Sequence, residues 1–313
     1  MNSQRNEVDI LVAGGGLAGL TAGLYAANLG HRCLVVTGHV AGGQLVSIEK
    51  IEGMPGFPEG VAGYDLCPMT QDQAMDAGAE CVAGEVSGIV AQDDGWLIST
   101  SDGEVQARAI IVAAGGHLKA LDVPGEARLR DKGVGHCASC DAPMLRGKVV
   151  AVVGGGDSAL QEALTLAAHA ARVVILHHEP SLTAQALWCK RIQAQANIEL
   201  RCNTVVEEIL GEQEVSAVRT LDVASGVRGE LAIDAVFVYI GLAPNIAFLD
   251  GQLALDGQGR ILADNRLRSS RRGVFAAGSI RTATSGQAVG AAGDGALAAL
   301  AAHEFLRDGD WPA

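Results

Sequence analysis

The stretch Val8-Asp9-Ile10-Leu11-Val12-Ala13-Gly14-Gly15-Gly16-Leu17-Ala18-Gly19-Leu20 decides the fold. A short apolar run, a glycine turn and an Ala/Leu-rich helical run from Leu20 to Leu29, closed by Gly30, open a βαβ unit. Its second strand is Arg32-Cys33-Leu34-Val35-Val36. In such a unit Gly14 permits the tight turn, Gly16 lets a pyrophosphate approach the backbone, and Gly19 lets the helix pack on the strand. The anion would rest on the helix N-terminus, at Leu17 and Ala18, where free N–H groups and the helix dipole favour it. Glycine patterns alone are weak evidence in a chain with 41 glycines. The position between a strand and a helix gives this one its weight.

The same architecture recurs downstream. Lys148-Val149-Val150-Ala151-Val152-Val153 precedes Gly154-Gly155-Gly156-Asp157-Ser158-Ala159, a helical run from Leu160 to about Ala171, and the strand Arg172-Val173-Val174-Ile175-Leu176. Gly14 to Thr37 and Gly154 to His177 both span 23 positions. Two such folds bind two dinucleotides, or one dinucleotide with the other fold a relic; a second nucleotide, where bound, would meet Gly154, Gly156, Asp157 and Ser158. Between the copies lie β-type segments at 81–90, 96–99 and 109–113, the last running into Ala114 at the first domain's crevice. After the second copy come a strand at 235–241, the buried strand Gly273-Val274-Phe275-Ala276-Ala277-Gly278 and a helix near 285–305. The buried strand has no second-domain partner nearby in sequence, so it is expected to return to the first domain.

The expectation is thus an α/β protein with two Rossmann-like (three-layer ββα/βαβ) dinucleotide-binding domains, the second inserted into the first. The boundaries read as 1–116, 117–243 and 244–313. The length of 313 residues suits two domains. A net charge of −13 argues against nucleic acid as a partner. The polar N-terminus lacks a signal peptide's apolar region, and the Ala-rich tail is broken by Asp294, so a cytoplasmic protein without a membrane span is expected.

Seven cysteines, an odd and scattered set, do not form a disulfide framework. Cys33, Cys67, Cys81, Cys189 and Cys202 read as small apolar side chains. Cys137-Ala138-Ser139-Cys140-Asp141 has a spacing that lets two sulfurs meet in one turn, a dithiol/disulfide pair. The competing reading, half of a zinc site, lacks two further ligands at suitable spacing, so no metal is expected. Asp141 can shuttle the proton that thiol–disulfide exchange requires, or else only cap a turn. His136 could instead lower the thiolate pKa of Cys137 and ranks below Asp141.

At this point the chain resembles the low-molecular-weight thioredoxin reductase family along essentially its whole length. The motifs that carry the resemblance are GGGLAGLTAGLYAANLG, VVTGHVAGGQL, GHCASCDAP, VVGGGDSALQEAL, VYIGLAPN and GVFAAGS…GQA, in family order and spacing. The resemblance implies FAD in the first domain, a pyridine-nucleotide-type inserted domain carrying the CxxC, and a homodimer. It implies that Cys140 takes electrons from the flavin, that Cys137 exchanges with the partner, and that Asp141 is the acid–base residue. It places FAD against Thr37-Gly38, Gly43-Gln44 and residues 279–288, which adds Gly278, Ser279, Gln287 and Ala288 to the cofactor set.

The departures from the family are informative. Where NADPH-using reductases carry His-Arg-Arg and a further arginine, this chain has His177-His178-Glu179 and Thr183. A 2′-phosphate wants bidentate arginine, so NADPH is disfavoured. Glu179 could instead accept the ribose hydroxyls of NADH. The family's Ala-Gly-Asp is Ala277-Gly278-Ser279 here, its Arg-Gln is Gly286-Gln287, and an asparagine before the Pro-Gly turn is Gly53. The reading is a flavoprotein disulfide oxidoreductase linking FAD, Cys137–Cys140 and a thioredoxin-like protein or small-molecule dithiol/disulfide. The alternatives are an FAD-dependent dithiol oxidase that passes electrons to oxygen, and a non-catalytic flavin redox sensor.

Overall fold

The computed structural model describes residues 7–311. They divide into two compact units, one holding the residues up to His117 and from Ala243 onward, the other Leu118–Leu242.

The first unit opens with β1 (Glu7–Ala13), α1 (Leu17–Asn28) and β2 (Cys33–Val36), the strands parallel from Ile10/Cys33 to Ala13/Val36. Ile10 to Ala13 are buried, as expected of a central parallel strand covered on both faces. Gly14 turns the chain at φ +120°, and a side chain there would meet the Ala113 carbonyl oxygen at 2.4 Å. A Cβ on Gly19 would lie 1.8 Å from the Gly14 oxygen, so α1 rests directly on the turn. Next come α2 (Gly63–Asp76), β3 (Glu80–Val82), β4 (Val86–Gln92), β5 (Gly95–Thr100) and β6 (Gly103–Val112). The sheet order is β3-β2-β1-β6-β5-β4. Helix α2 has no counterpart in the sequence reading, because Pro68 inside it and its polar composition obscure the helical period.

Strand β7 (Gly116–Leu118) leads into the second unit. There β8 (Val134–Gly135), the single turn α3 (Ala138–Asp141), β9 (Val149–Val153), α4 (Asp157–Ala167), β10 (Arg172–Leu176), α5 (Ala186–Gln193) and β11 (Ile198–Arg201) follow in turn. An antiparallel meander, β12 (Thr204–Leu210), β13 (Ala217–Asp222) and β14 (Arg228–Ala232), precedes β15 (Ala235–Val238). The main sheet runs β11-β10-β9-β15-β8, parallel throughout. One face packs on α4 and α5 through Leu160, Leu166 and Trp188. The other packs on the meander through Val206, Ile209 and Val218, which completes three layers. Helix α4 begins at Asp157 and ends at Ala167, earlier at both ends than the apolar run suggests.

The chain leaves by β16 (Leu242–Pro244) and reaches β17 (Val274–Ala276) and α6 (Ala288–Asp308). Strand β17 lies parallel to the second half of β6, from Val274/Ile110 to Ala276/Val112, while the first half of β6 pairs with β5. Helices α1 and α6 share one apolar cluster against the first sheet, with Phe275 and Ala298 at its centre.

Candidate active site

In the first unit the carboxyl ends of β1, β2, β6 and β17 gather the glycine-rich segments. A Cβ built on Gly16 has no atom within 4 Å, so this face of the turn is open. Among the described residues no side chain caps α1, and no acidic residue stands in its first turn, which leaves the amides of Leu17, Ala18 and Gly19 available to an anion. Thr37 is buried, and its hydroxyl donates to the Gly38 and Val82 oxygens. The loop carrying Gly43 and Gln44 is fastened by the Gly42 amide, which donates to the Gly15 oxygen at 2.7 Å, and by Gln44 Nε2, which donates to the Gly116 oxygen at 3.2 Å. Gly278, at φ +79°, abuts Ala18, and the Ser279 hydroxyl is 3.6 Å from where a Gly115 Cβ would stand. Gln287 is the N-cap of α6, and Ala288 packs with Leu17, Ile51 and Leu66. Asn245 holds the crevice from beside Ala114: its Nδ2 donates to the Ala114 oxygen at 2.8 Å and its amide to the Gly115 oxygen. The sequence reading assigned Asn245 no role, its only trace being its place at the end of VYIGLAPN.

In the second unit β8 ends directly at the CxxC. Cys137 and Cys140 form a disulfide with Cα atoms 5.3 Å apart across α3. Cys137 is half-buried and Cys140 exposed. The other five cysteines are free thiols. Burial pushes the Cys33 thiol up to about 12 and that of Cys67 to about 11, which keeps both protonated and unreactive. The carboxylate of Asp141 folds back toward β8, with Oδ2 2.9 Å from where a Gly135 Cβ would stand. Burial and the nearby negative Asp131 raise its pKa, and His136 partly opposes them. A carboxyl shifted in this direction keeps a proton to higher pH, as a proton donor needs. The Nδ1 of His136 is buried and has no hydrogen-bond partner among the described residues. Tyr239 ties the redox turn to the second glycine turn: its hydroxyl donates to the His136 oxygen at 3.5 Å, and its own carbonyl lies 2.2 Å from a Cβ built on Gly154.

The second turn differs from the first in what surrounds it. Gly156 caps α4 and faces open space apart from Thr183, but Asp157 puts a carboxylate in the first turn. That carboxylate accepts from the Gln185 amide at 2.8 Å and from Gln185 Nε2 at 2.7 Å. Ser158 beside it is exposed. The Gly155 oxygen accepts from the amides of Thr183 and Ala184 and from the Thr183 hydroxyl. His177, 3% exposed, lies against Gly155, and its Nε2 pairs with the Ser181 oxygen at 3.1 Å. A carbonyl only accepts, so Nε2 carries the proton and Nδ1 is a bare acceptor. Burial, with His178 adding to it, lowers the pKa of His177. Glu179, exposed, has its carboxylate 3.7 Å from His178 Nε2 and 4.0 Å from His177 Nε2. Among the described residues no group of three or more His, Cys, Asp or Glu stands together as a metal site. No described helix is long and apolar enough to cross a membrane.

The family model for pyridine nucleotide-disulphide oxidoreductases matches residues 8–295. The chain belongs to that family. Among its relatives, thioredoxin reductase of Treponema pallidum is 36% identical over 96% of this chain and 97% of that protein. The structure of Lactococcus lactis thioredoxin reductase in its FR conformation superposes with a TM-score of 0.93 at 34% identity, covering 96% and 99% of the two chains. The thioredoxin reductase of T. acidophilum gives 0.92 at 31% identity, covering 97% and 100%. As a pyridine nucleotide-disulphide oxidoreductase of thioredoxin reductase type, the chain is an FAD-dependent disulfide oxidoreductase. The first turn fits that cofactor: the open Gly16 face and the uncapped amides of α1 are what a dinucleotide diphosphate requires.

Proposed function

We propose that this member of the family is a disulfide reductase that passes two electrons through Cys137–Cys140 to a thioredoxin-like protein and draws them from a donor other than NADPH. The carrying observation is the rim of the second turn. Where a 2′-phosphate would need cations, a carboxylate at Glu179, the exposed His178 and a Thr183 hydroxyl spent on the Gly155 oxygen stand instead. Glu179 suits the ribose hydroxyls of NADH, and another flavin or an iron–sulfur protein would need no nucleotide site.

FAD lies, on this reading, against Gly14, Gly16, Leu17, Ala18, Gly19, Thr37, Gly38, Gly43, Gln44, Ala114, Gly278, Ser279, Gln287 and Ala288. When bound, the flavin supplies the two-electron chemistry. The residues of the second unit handle the sulfur and the protons. Two electrons break the S–S bond and leave both sulfurs as thiolates, of which that of Cys137 takes a proton from Asp141. Redeprotonated, it attacks the partner's disulfide and releases one partner thiolate. The Cys140 thiolate then attacks the mixed disulfide, re-forms the Cys137–Cys140 bond and frees the second partner thiolate, so the partner gains two electrons and its two thiolates take their protons from solvent. The working form is a cytoplasmic homodimer.

Anaerobic titration of the FAD-loaded protein with NADH, NADPH and a reduced iron–sulfur protein tests this reading. Bleaching of the visible flavin band by NADH or the protein donor, with NADPH ineffective, is the expected result. Failure of every donor overturns the reductase assignment. Peroxide production from a dithiol in air would point to the oxidase instead.

A further inference from the structure

Asp294 enters the sequence reading only as a break in an Ala-rich run, yet its carboxylate accepts three hydrogen bonds at the first unit's crevice. It sits in the second turn of α6 and is 9% exposed. Its Oδ1 accepts from Arg281 Nη2 at 2.6 Å, and its Oδ2 accepts from Arg281 Nε at 2.7 Å and from the Gly278 amide at 2.9 Å. Arg281 is held from its other side by donating Nη1 to the Thr282 oxygen at 2.8 Å. The pair therefore grips the turn Gly278–Ile280, which carries Ser279, from both of its ends.

The location of this grip connects it to the cofactor. A Cβ on Gly278 would come within 2.9 Å of the Ala18 Cβ, and one on Gly295, next to Asp294, within 2.1 Å of the Ala18 oxygen. Ala18 is the second residue of α1, so Asp294 lies at the end of that helix where uncapped amides face the open side of Gly16. A bare carboxylate there would compete with a diphosphate for the positive end of the helix. A buried ion pair is also seldom the most stable filling for its volume, so stability alone gives little reason for this one.

We infer that Arg281 and Asp294 are positioning residues for the diphosphate end of FAD. Asp294 fixes the Gly278–Ser279 backbone against α1, and Arg281 cancels the charge of Asp294 so that the amides of α1 stay net positive toward the cofactor. The inference rests on the FAD reading of the first unit. It assigns the pair a task that matters more here because Ser279 stands where the family resemblance expects a carboxylate.

The test is FAD binding to the apoprotein, by flavin fluorescence, beside the apoprotein's melting midpoint. Arg281→Met leaves the carboxylate unpaired and is expected to raise the Kd for FAD at least tenfold. Asp294→Asn keeps an acceptor for the Gly278 amide and removes the negative charge. It is expected to hold FAD within threefold of the unsubstituted protein even where the melting midpoint falls. Adding Asp294→Asn to Arg281→Met is expected to restore most of the lost affinity. A purely structural pair would weaken FAD from either side and show no restoration, and that result overturns the inference, as does unchanged binding by Arg281→Met. If Arg281→Met does not fold, a tenfold loss in Asp294→Asn alone overturns it. An unsubstituted apoprotein that takes up no FAD overturns the cofactor reading, and the inference with it.

Discussion

Replacing His178 and Glu179 together by arginine converts the rim of the second nucleotide turn from one carboxylate to two guanidinium groups. Both side chains are exposed at the carboxyl end of β10, with Glu179 paired to nothing stronger than the neighbouring histidines at 3.7 and 4.0 Å. The buried one, His177, keeps its Nε2 bond to the Ser181 oxygen when Glu179 is replaced. Charge-assisted hydrogen bonds contribute about 1.5–3 kcal/mol each when well shielded, and solvent at this rim reduces that to about 1–2 kcal/mol. Two arginines on a 2′-phosphate then supply about 2–4 kcal/mol, or roughly 30- to 1,000-fold in Kd. The assay is isothermal titration of NADPH and NADH into the unsubstituted and doubly substituted proteins at two salt concentrations. NADPH should tighten by that factor and NADH should not, and the gain should shrink with salt because the groups are exposed. An NADPH Kd within threefold of the parent's, or equal tightening of NADH, would refute the reasoning and place the obstacle elsewhere in the turn.

Cys137→Ser and Cys140→Ser should each abolish reduction of an external disulfide; turnover surviving either change removes the CxxC mechanism. Asp141→Asn should slow reduction by about 10²-fold or more, as expected for a lost general acid. Its stability has the opposite sign. Because the folded-state pKa of Asp141 is raised, its favourable contribution is complete below the ordinary value of 3.8 and fades as pH rises through the folded value. Asparagine does not ionise, so thermal melts from about pH 4 to 7 should show the variant gaining on the parent as pH increases. A parent that gains on the variant with rising pH contradicts the burial argument. Gly155→Ala forces a methyl to within 2.4 Å of the buried His177 ring. Over-packing of about 1–3 kcal/mol should lower the melting midpoint by roughly 1.5–5 °C in a chain of this length. A midpoint unchanged in calorimetry would show that the ring can move aside.

The two glycine turns were legible in the chain because their causes are local. Gly14 and Gly154 need positive φ, and Gly19 needs the absence of a Cβ against a carbonyl five residues earlier. The CxxC was legible for the same reason, since three residues of separation suffice to bring the sulfurs together. The meander β12–β14 is not legible in the chain, because one face of each strand is solvated and rich in charge, Glu207, Glu208, Arg219 and Arg228 among them.

The amino-acid sequence by itself determined the two strand–turn–helix cradles, the redox pair and the missing cations of the second cradle. All of these depend on residues within a few positions of one another. Only the tertiary structure decided that β17 completes the sheet beside β6, that Asn245 bonds the Ala114 and Gly115 carbonyls, and that Asp294 meets Arg281 and Gly278 across the end of α1. Those pairings join segments 13 to more than 160 residues apart, as from Arg281 to Asp294 and from Val274 to Ile110. A buried carboxylate cannot be told from a solvated one until the fold places a donor against it and takes the water away.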